Sequence, residues 1–188
     1  MRSISGSFKG KKILTPNDDK TRPLKDLTKE SIFNIINHSN KFKINFSNSF
    51  ILDLFSGVGS FGIECLSRGA KKVIFIENYR GVLHLLKKNL SSLKSIQNYE
   101  IIEKDIYKDN VFPNLNLKFD IIFFDPPYKN KNIDNLLNEI KNKKILNKHG
   151  IIILHRHKNE QDHLPSSYKI IEQKVYGIAK VIFLSCLD

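Results

Sequence analysis

Asp125-Pro126-Pro127-Tyr128 is the tetrapeptide in this sequence best suited to a defined chemical task. It directly follows the apolar run Ile121 to Phe124, so it should lie at the end of a buried strand. An exocyclic amine on a nucleobase is a poor nucleophile because its lone pair is delocalised into the ring. A catalyst must hold such an amine with the lone pair aimed at the electrophile. The Asp125 carboxylate and the Pro126 carbonyl can each accept one N–H, Pro126 and Pro127 stiffen the loop, and Tyr128 offers a ring for an extruded base to stack on. The bland alternative is a proline turn with a packed tyrosine.

The second cluster is Asp53-Leu54-Phe55-Ser56-Gly57-Val58-Gly59-Ser60-Phe61-Gly62, in which a strand runs into a GxGxxG loop and then a helix. Gly57, Gly59 and Gly62 would let a ligand approach the backbone. Dinucleotide-binding folds use the same spacing, with a helix N-terminus facing pyrophosphate. Asp53 at the strand end argues for another ligand. A carboxylate there repels pyrophosphate but suits the ammonium of a methionine moiety beside a sulfonium. Glu77, Asp105 and Asp125 follow three further strand-like runs, so a chain of formal charge +12 places an acidic crescent where open α/β sheets bind small ligands. S-adenosylmethionine (SAM) is cationic and rich in donors. Glu77 is placed for its ribose hydroxyls, Asp105 for its adenine amino group, and Ile106 and Phe55 for apolar contact.

Other reactive residues carry less. His155 and His157 fall on one face of a strand, but no third ligand at suitable spacing is evident; a solvated or RNA-facing pair is expected, and no metal. Cys65 and Cys186 stand far apart without CxxC spacing, so neither a zinc site nor a disulfide framework is suggested, and Cys65 reads as a small core residue.

The elements that must position these residues follow from apolar periodicity. Phe50 to Leu54, Val73 to Ile76, Ile101 to Ile102, Ile121 to Phe124 and Ile151 to Leu154 are short runs of the kind found in buried parallel strands. Amphipathic segments alternate with them, one carrying Val82, Leu83, Leu85, Leu86, Leu90 and Leu93, another Ile133, Leu136, Leu137 and Ile140. The C-terminal runs Tyr168 to Val175 and Ala179 to Cys186 are separated only by Tyr176-Gly177-Ile178, too little for a crossover, and should form an antiparallel hairpin. A Rossmann-like α/β fold of the class I SAM methyltransferase type is expected, its parallel sheet ending in that hairpin.

Residues 1–48 read as a basic extension and 49–188 as the methyltransferase domain. The extension comprises a small β-hairpin over Ser3 to Leu14, a turn at Thr15-Pro16-Asn17-Asp18, and a helix with Asp26 as its N-cap and Ile32, Ile35 and Ile36 on its apolar face. The segment from Asn130 to Lys148 reads as a solvated helix surface. Arg2, Lys9, Lys11, Lys12, Lys20, Arg22, Lys25 and Lys29 crowd the first 29 residues against three acids. Lys outnumbers Arg 26 to 5 in a chain also rich in Asn and Ile, a pattern that base composition alone can produce, but local clustering is harder to attribute to it. With 40% hydrophobic residues, the chain can bury a real core and is not expected to be disordered. The absence of an apolar leader or of a run long enough to cross a bilayer points to a soluble, unprocessed cytoplasmic protein with no membrane partner.

On these residues the chain resembles the RsmD family of bacterial 16S rRNA guanine-N2 methyltransferases. The resemblance rests on Ile4-Ser5-Gly6 with Lys9-Gly10-Lys11-Lys12, Arg22-Pro23 with Asp26 and Lys29 to Asn34, Asp53 to Gly62, Asp125 to Tyr128, and Tyr176-Gly177. It implies SAM as cofactor, 16S rRNA in the small ribosomal subunit as partner, and a basic N-terminal region contacting RNA, to which Arg2, Lys9, Lys11, Lys12, Arg22 and Lys25 are assigned; a monomer is expected. His155 departs from the family, which commonly has an acidic residue there, and no catalytic role is assigned to it. An adenine-N6 methyltransferase on DNA or RNA, a nucleotide-dependent oxidoreductase, and a non-catalytic RNA-binding assembly factor are the competing readings; the oxidoreductase is opposed by Asp53 and by Asp125 to Tyr128.

Overall fold

The computed structural model describes residues 1–16, 24–109, 111–112, 115, 117–127 and 132–187. Seven strands form one sheet: β1 (Phe50–Leu54), β2 (Lys72–Ile76), β3 (Tyr99–Ile102), β4 (Phe119–Phe124), β5 (Leu146–His157), β6 (Tyr168–Tyr176) and β7 (Ala179–Cys186). Their spatial order is β3-β2-β1-β4-β5-β7-β6. The first five are parallel, and β7 enters antiparallel to both β5 and β6. This is the expected Rossmann-like layout with its C-terminal hairpin.

Because side chains alternate across a strand, each interior strand feeds two cores. Ile51, Phe75, Ile121, Phe123, Ile151, Ile153 and Phe183 face one layer, and Leu52, Ile74, Ile122, Phe124, Ile152 and Leu184 the other. Helices α2 (Ser60–Ser67) and α3 (Arg80–Ser91) cover the first face, and α4 (Ile133–Lys143) the second.

The N-terminal segment has no core of its own. Ile13, Leu24 and the α1 (Asp26–His38) residues Ile32, Phe33 and Ile36 join the first layer. The expected hairpin is rudimentary. Its arms meet at one bridge, Arg2 with Lys12, and the Ser3 and Lys11 backbones bond at 2.9 Å, while a 3-10 turn, Gly6–Phe8, fills the bend. Asp26 is the first residue of α1, not its cap; Lys25 occupies the cap position. β5 is much longer than its apolar run suggests, taking up part of the supposed helix surface at one end and His155 to His157 at the other. Among the described residues, no helix is long and apolar enough to cross a membrane.

Candidate active site

The chain leaves β1 through an unusual turn. Phe55 holds a left-handed backbone at φ +58°, costly for a bulky residue, and its ring lies 5.7 Å from that of Tyr107. Gly57 follows at φ +56°, and a Cβ there would meet nothing within 4 Å. Gly62 serves a different purpose. A Cβ on it would lie 2.3 Å from the Phe75 ring, so its missing side chain seats α2 against β2. Gly59 likewise faces Leu86 and Ile63. Of the three glycines expected to admit a ligand, only Gly57 borders open space.

The acids gather at the carboxyl ends of the parallel strands, as expected, but they are differently occupied. Asp53 is only 1% exposed, and its Oδ2 accepts the Gly62 amide at 2.9 Å. Burial pushes this carboxyl well up, the Gly62 bond draws it back, and the charges of Asp125 and Glu77 raise it further. Asp53 thus braces the loop from beneath rather than presenting a free carboxylate to a ligand. Glu77 accepts Gly57 N on Oε2 at 2.7 Å, and Asn78 N and Tyr79 N on Oε1 at 2.9 and 2.8 Å. Asp105 accepts Tyr107 N at 3.0 Å.

Glu77, Asp105, Ile106 and Phe55 line one cleft of about 200 Å³, and Pro127 lines it too. The cleft therefore joins the acid crescent to the Asp125 loop. Asn78, Lys104 and Tyr107 also line it, residues that carried no motif in the sequence. Carboxylate acceptors beside apolar walls fit a nucleoside: hydroxyls and an exocyclic amine would donate to Glu77 and Asp105, and Ile106 and Phe55 would flank the base.

Asp125 and Pro126 follow β4, while Tyr128 lies outside the described residues, as do Lys20 and Arg22. The loop is held from β5. Register pairs Phe124 with Leu154, which sets Asp125 beside His155, and the two join at 2.7 Å between Oδ1 and Nδ1. Burial lowers the imidazole's affinity for a proton, but the ion pair and hydrogen bond with Asp125 outweigh it, leaving His155 above its ordinary value. On the opposite face, buried Arg156 donates from Nη1 to the Pro127 carbonyl at 3.3 Å and from Nε to Asp162 at 2.8 Å. His155 is 6% exposed and so is not the solvated or RNA-facing residue expected; β5 runs on between β4 and β7 and makes it an interior position. His157 is half-buried and accepts the Asn159 amide. Cys65 is fully buried, and burial pushes its thiol well up, away from nucleophilic chemistry. Among the described residues, no group of three His, Cys, Asp or Glu could hold a metal ion.

The N-terminal segment is anchored to the same loop-helix unit. Buried Glu64 accepts Ser3 Oγ, Ile4 N and Ser5 N at 2.9, 2.7 and 3.0 Å, and also Arg68 Nε. Asn89 pins Leu14 through both its amide atoms and donates to Val58 O in the glycine loop. Lys29, counted with the basic cluster, is completely buried. It donates to Arg2 O and Ser60 Oγ, so it cannot serve as a surface cation. Arg2, Lys9, Lys11, Lys12 and Lys25 are exposed.

A family model described as Conserved hypothetical protein 95 matches residues 1–185. Ribosomal RNA small subunit methyltransferase D of Haemophilus influenzae is 31% identical over 179 residues, covering 95% of this chain and 90% of its own. The protein of the same name from Buchnera aphidicola, from the pea-aphid strain APS, is 32% identical over 172 residues, covering 92% and 86%. A solved Escherichia coli structure, provisionally assigned as a methyltransferase, superposes with a TM-score of 0.78 at 25% identity, covering 98% of this chain and 96% of that one.

Proposed function

The chain belongs to the family described as Conserved hypothetical protein 95, and on that premise we propose that it methylates the exocyclic N2 amine of a guanine in 16S rRNA of the small ribosomal subunit, with SAM as donor. The observation that carries this reading is the shared cleft: Pro127, from the amine-holding loop, lines the same cleft as Glu77 and Asp105. The relatives' names support an rRNA substrate.

When bound, SAM would supply an electrophilic methyl group to the amine lone pair, with the C–S electron pair leaving on sulfur. The protein's share is orientation. Asp125 and the Pro126 carbonyl accept the two amine N–H bonds and turn the nitrogen lone pair toward the cleft. Glu77 and Asp105 take up hydroxyl and amino donors of the cofactor, with Ile106 and Phe55 against its base. Asp53 holds the Gly62 amide and thereby fixes the loop beside the methionine end. Tyr128 stacks on the extruded base. The methylated amine is strongly acidic, so its extra proton can leave to water, and Asp125 need not act as a general base. Arg2, Lys9, Lys11, Lys12, Arg22 and Lys25 contact phosphates, with residues 1–48 as the RNA-facing extension of the 49–188 catalytic domain.

The test is incubation with labelled SAM and, separately, unmodified small subunits, naked 16S rRNA and duplex DNA, followed by identification of the labelled nucleoside. N2-methylguanosine from small subunits is expected. N6-methyladenosine or labelled DNA would replace the substrate while keeping the SAM site. No label despite SAM binding would favour the non-catalytic reading. Asp125→Ala should abolish turnover while SAM affinity is largely kept, because it removes an acceptor for the amine and not a cofactor contact.

A further inference from the structure

Asp125 is crowded by negative charge. It acts on the buried Asp53 carboxyl, which also feels Glu77, so three carboxyl groups share the ends of β1, β2 and β4. To accept the target amine, Asp125 must keep one carboxyl oxygen available and its plane fixed. Among the described residues, His155 is the basic side chain in direct contact with it, at 2.7 Å.

Resting on the function proposed above, we propose that His155 is a positioning residue for the reaction: it ties Oδ1 of Asp125, fixes the plane of that carboxyl group, and leaves Oδ2 to receive the amine N–H. Its own mounting suits the task. β4 and β7 flank it, with Val181 opposite on β7, so the imidazole sits on an interior strand rather than a loop. Asp125 approaches from the end of β4, Asp53 lies beyond it on β1, and Arg156 is the charged neighbour on β5 itself, turned to Asp162 and the Pro127 carbonyl on the other face. The two consecutive residues of β5 thus fix the two ends of the loop, His155 through the Asp125 carboxylate and Arg156 through the Pro127 carbonyl. An acidic residue at 155 would add a fourth carboxyl to the cluster; histidine reverses that charge.

The proposal is tested by two readouts on the full-length protein. First, the His155 imidazole is followed by NMR titration. It should protonate above the ordinary histidine range in the wild type and fall toward or below that range in Asp125→Asn; the same titration in both proteins overturns the pairing. Second, methyl transfer is measured across SAM concentrations to separate kcat from KM. His155→Leu should lower kcat by about 10- to 100-fold with the KM for SAM unchanged. His155→Asn, whose amide N–H can replace Nδ1–H, should recover most of that loss. A purely structural role would lower stability in both variants without lowering the kcat of the folded protein, and an unchanged kcat in His155→Leu or no recovery in His155→Asn overturns the proposal. A wild-type protein that labels no RNA overturns the reaction it rests on, and this failure is distinct because the titration still reports the pair.

Discussion

The surroundings of Asp53 oppose its ionised form. Its carboxyl lies above the ordinary value of 3.8 because burial, and then Asp125 and Glu77, disfavour the ionised form against a single bond from Gly62. The folded state therefore holds the proton more tightly than the unfolded chain. That advantage is full below pH 3.8 and is lost as pH rises through the raised folded value, so ionised Asp53 costs stability at neutral pH. Asp53→Asn should raise unfolding free energy by about 1 kcal/mol in urea at neutral pH while weakening SAM binding measured by calorimetry. A stability loss would show that the charged bond to Gly62 outweighs desolvation. His155 has the same sign with a different consequence. Its contribution is full below its unfolded value of 6.5 and disappears as pH rises through its raised folded value. The stability gap between the wild type and His155→Leu should therefore be widest near or below that unfolded value and shrink on the alkaline side; a gap independent of pH would mean that packing, not the ion pair, sets it.

Helix α2 shows which parts of an element are legible in sequence. Its place after the glycine loop followed from the spacing, as did the parallel strands, of which β1, β2, β4 and β5 are interior and leave continuous apolar runs while the edge strand β3 is only partly buried. Its other duty left no local trace. Glu64 reads as one more polar residue of a short helix, yet it is fully buried and receives the Ser3 hydroxyl and the Ile4 and Ser5 amides. The partners are about sixty residues away, so no periodicity could announce them. Gly6 belongs to the same contact, since a Cβ there would collide with the Ser67 backbone. The Ile4-Ser5-Gly6 signature is thereby explained as a docking surface for α2. The same blindness hid the amino end of β5, since Leu146 to Gly150 lack an apolar pattern. At its other end the strand placement of His155 and His157 was legible, but nothing local shows that β7 would cover His155, so it looked solvated. Glu64→Gln would keep the shape but turn an amide donor toward backbone donors, and it should cost about 3 kcal/mol by urea denaturation. Limited proteolysis should cut faster within residues 1–14. A variant with unchanged stability and unchanged cleavage would show that apolar packing alone holds the segment.

At the scale of the molecule, acids gather at the strand ends around the cleft, and the docked N-terminal segment carries the exposed cations Arg2, Lys9, Lys11, Lys12 and Lys25. The docking matters because Glu64, Asn89 and Lys29 tie that segment to α2, α3 and the glycine loop, fixing its cations relative to the cleft. Counterion release converts each lysine–phosphate contact into a salt dependence of binding, at about 0.7 to 0.9 per phosphate in the slope of log K against log salt. Replacing Lys9, Lys11 and Lys12 with Ala should lower that slope by about 2 for 16S rRNA, measured by filter binding across a salt series. Three contacts at these coefficients give about 2 to 3, and the lower end is expected because the Lys11 ammonium already donates to Ser92 O at 3.1 Å. Lys29 supplies the control. It is buried, and desolvation lowers its proton affinity against the opposing charges of Glu64 and Asp26. Lys29→Met should leave the salt slope unchanged and lower stability, since Ser60 Oγ and the Arg2 carbonyl lose their donor and Glu64 a nearby cation. If Lys29→Met reduced the slope as much as the triple variant, the N-terminal lysines would be acting through the docked segment's integrity and not through phosphates.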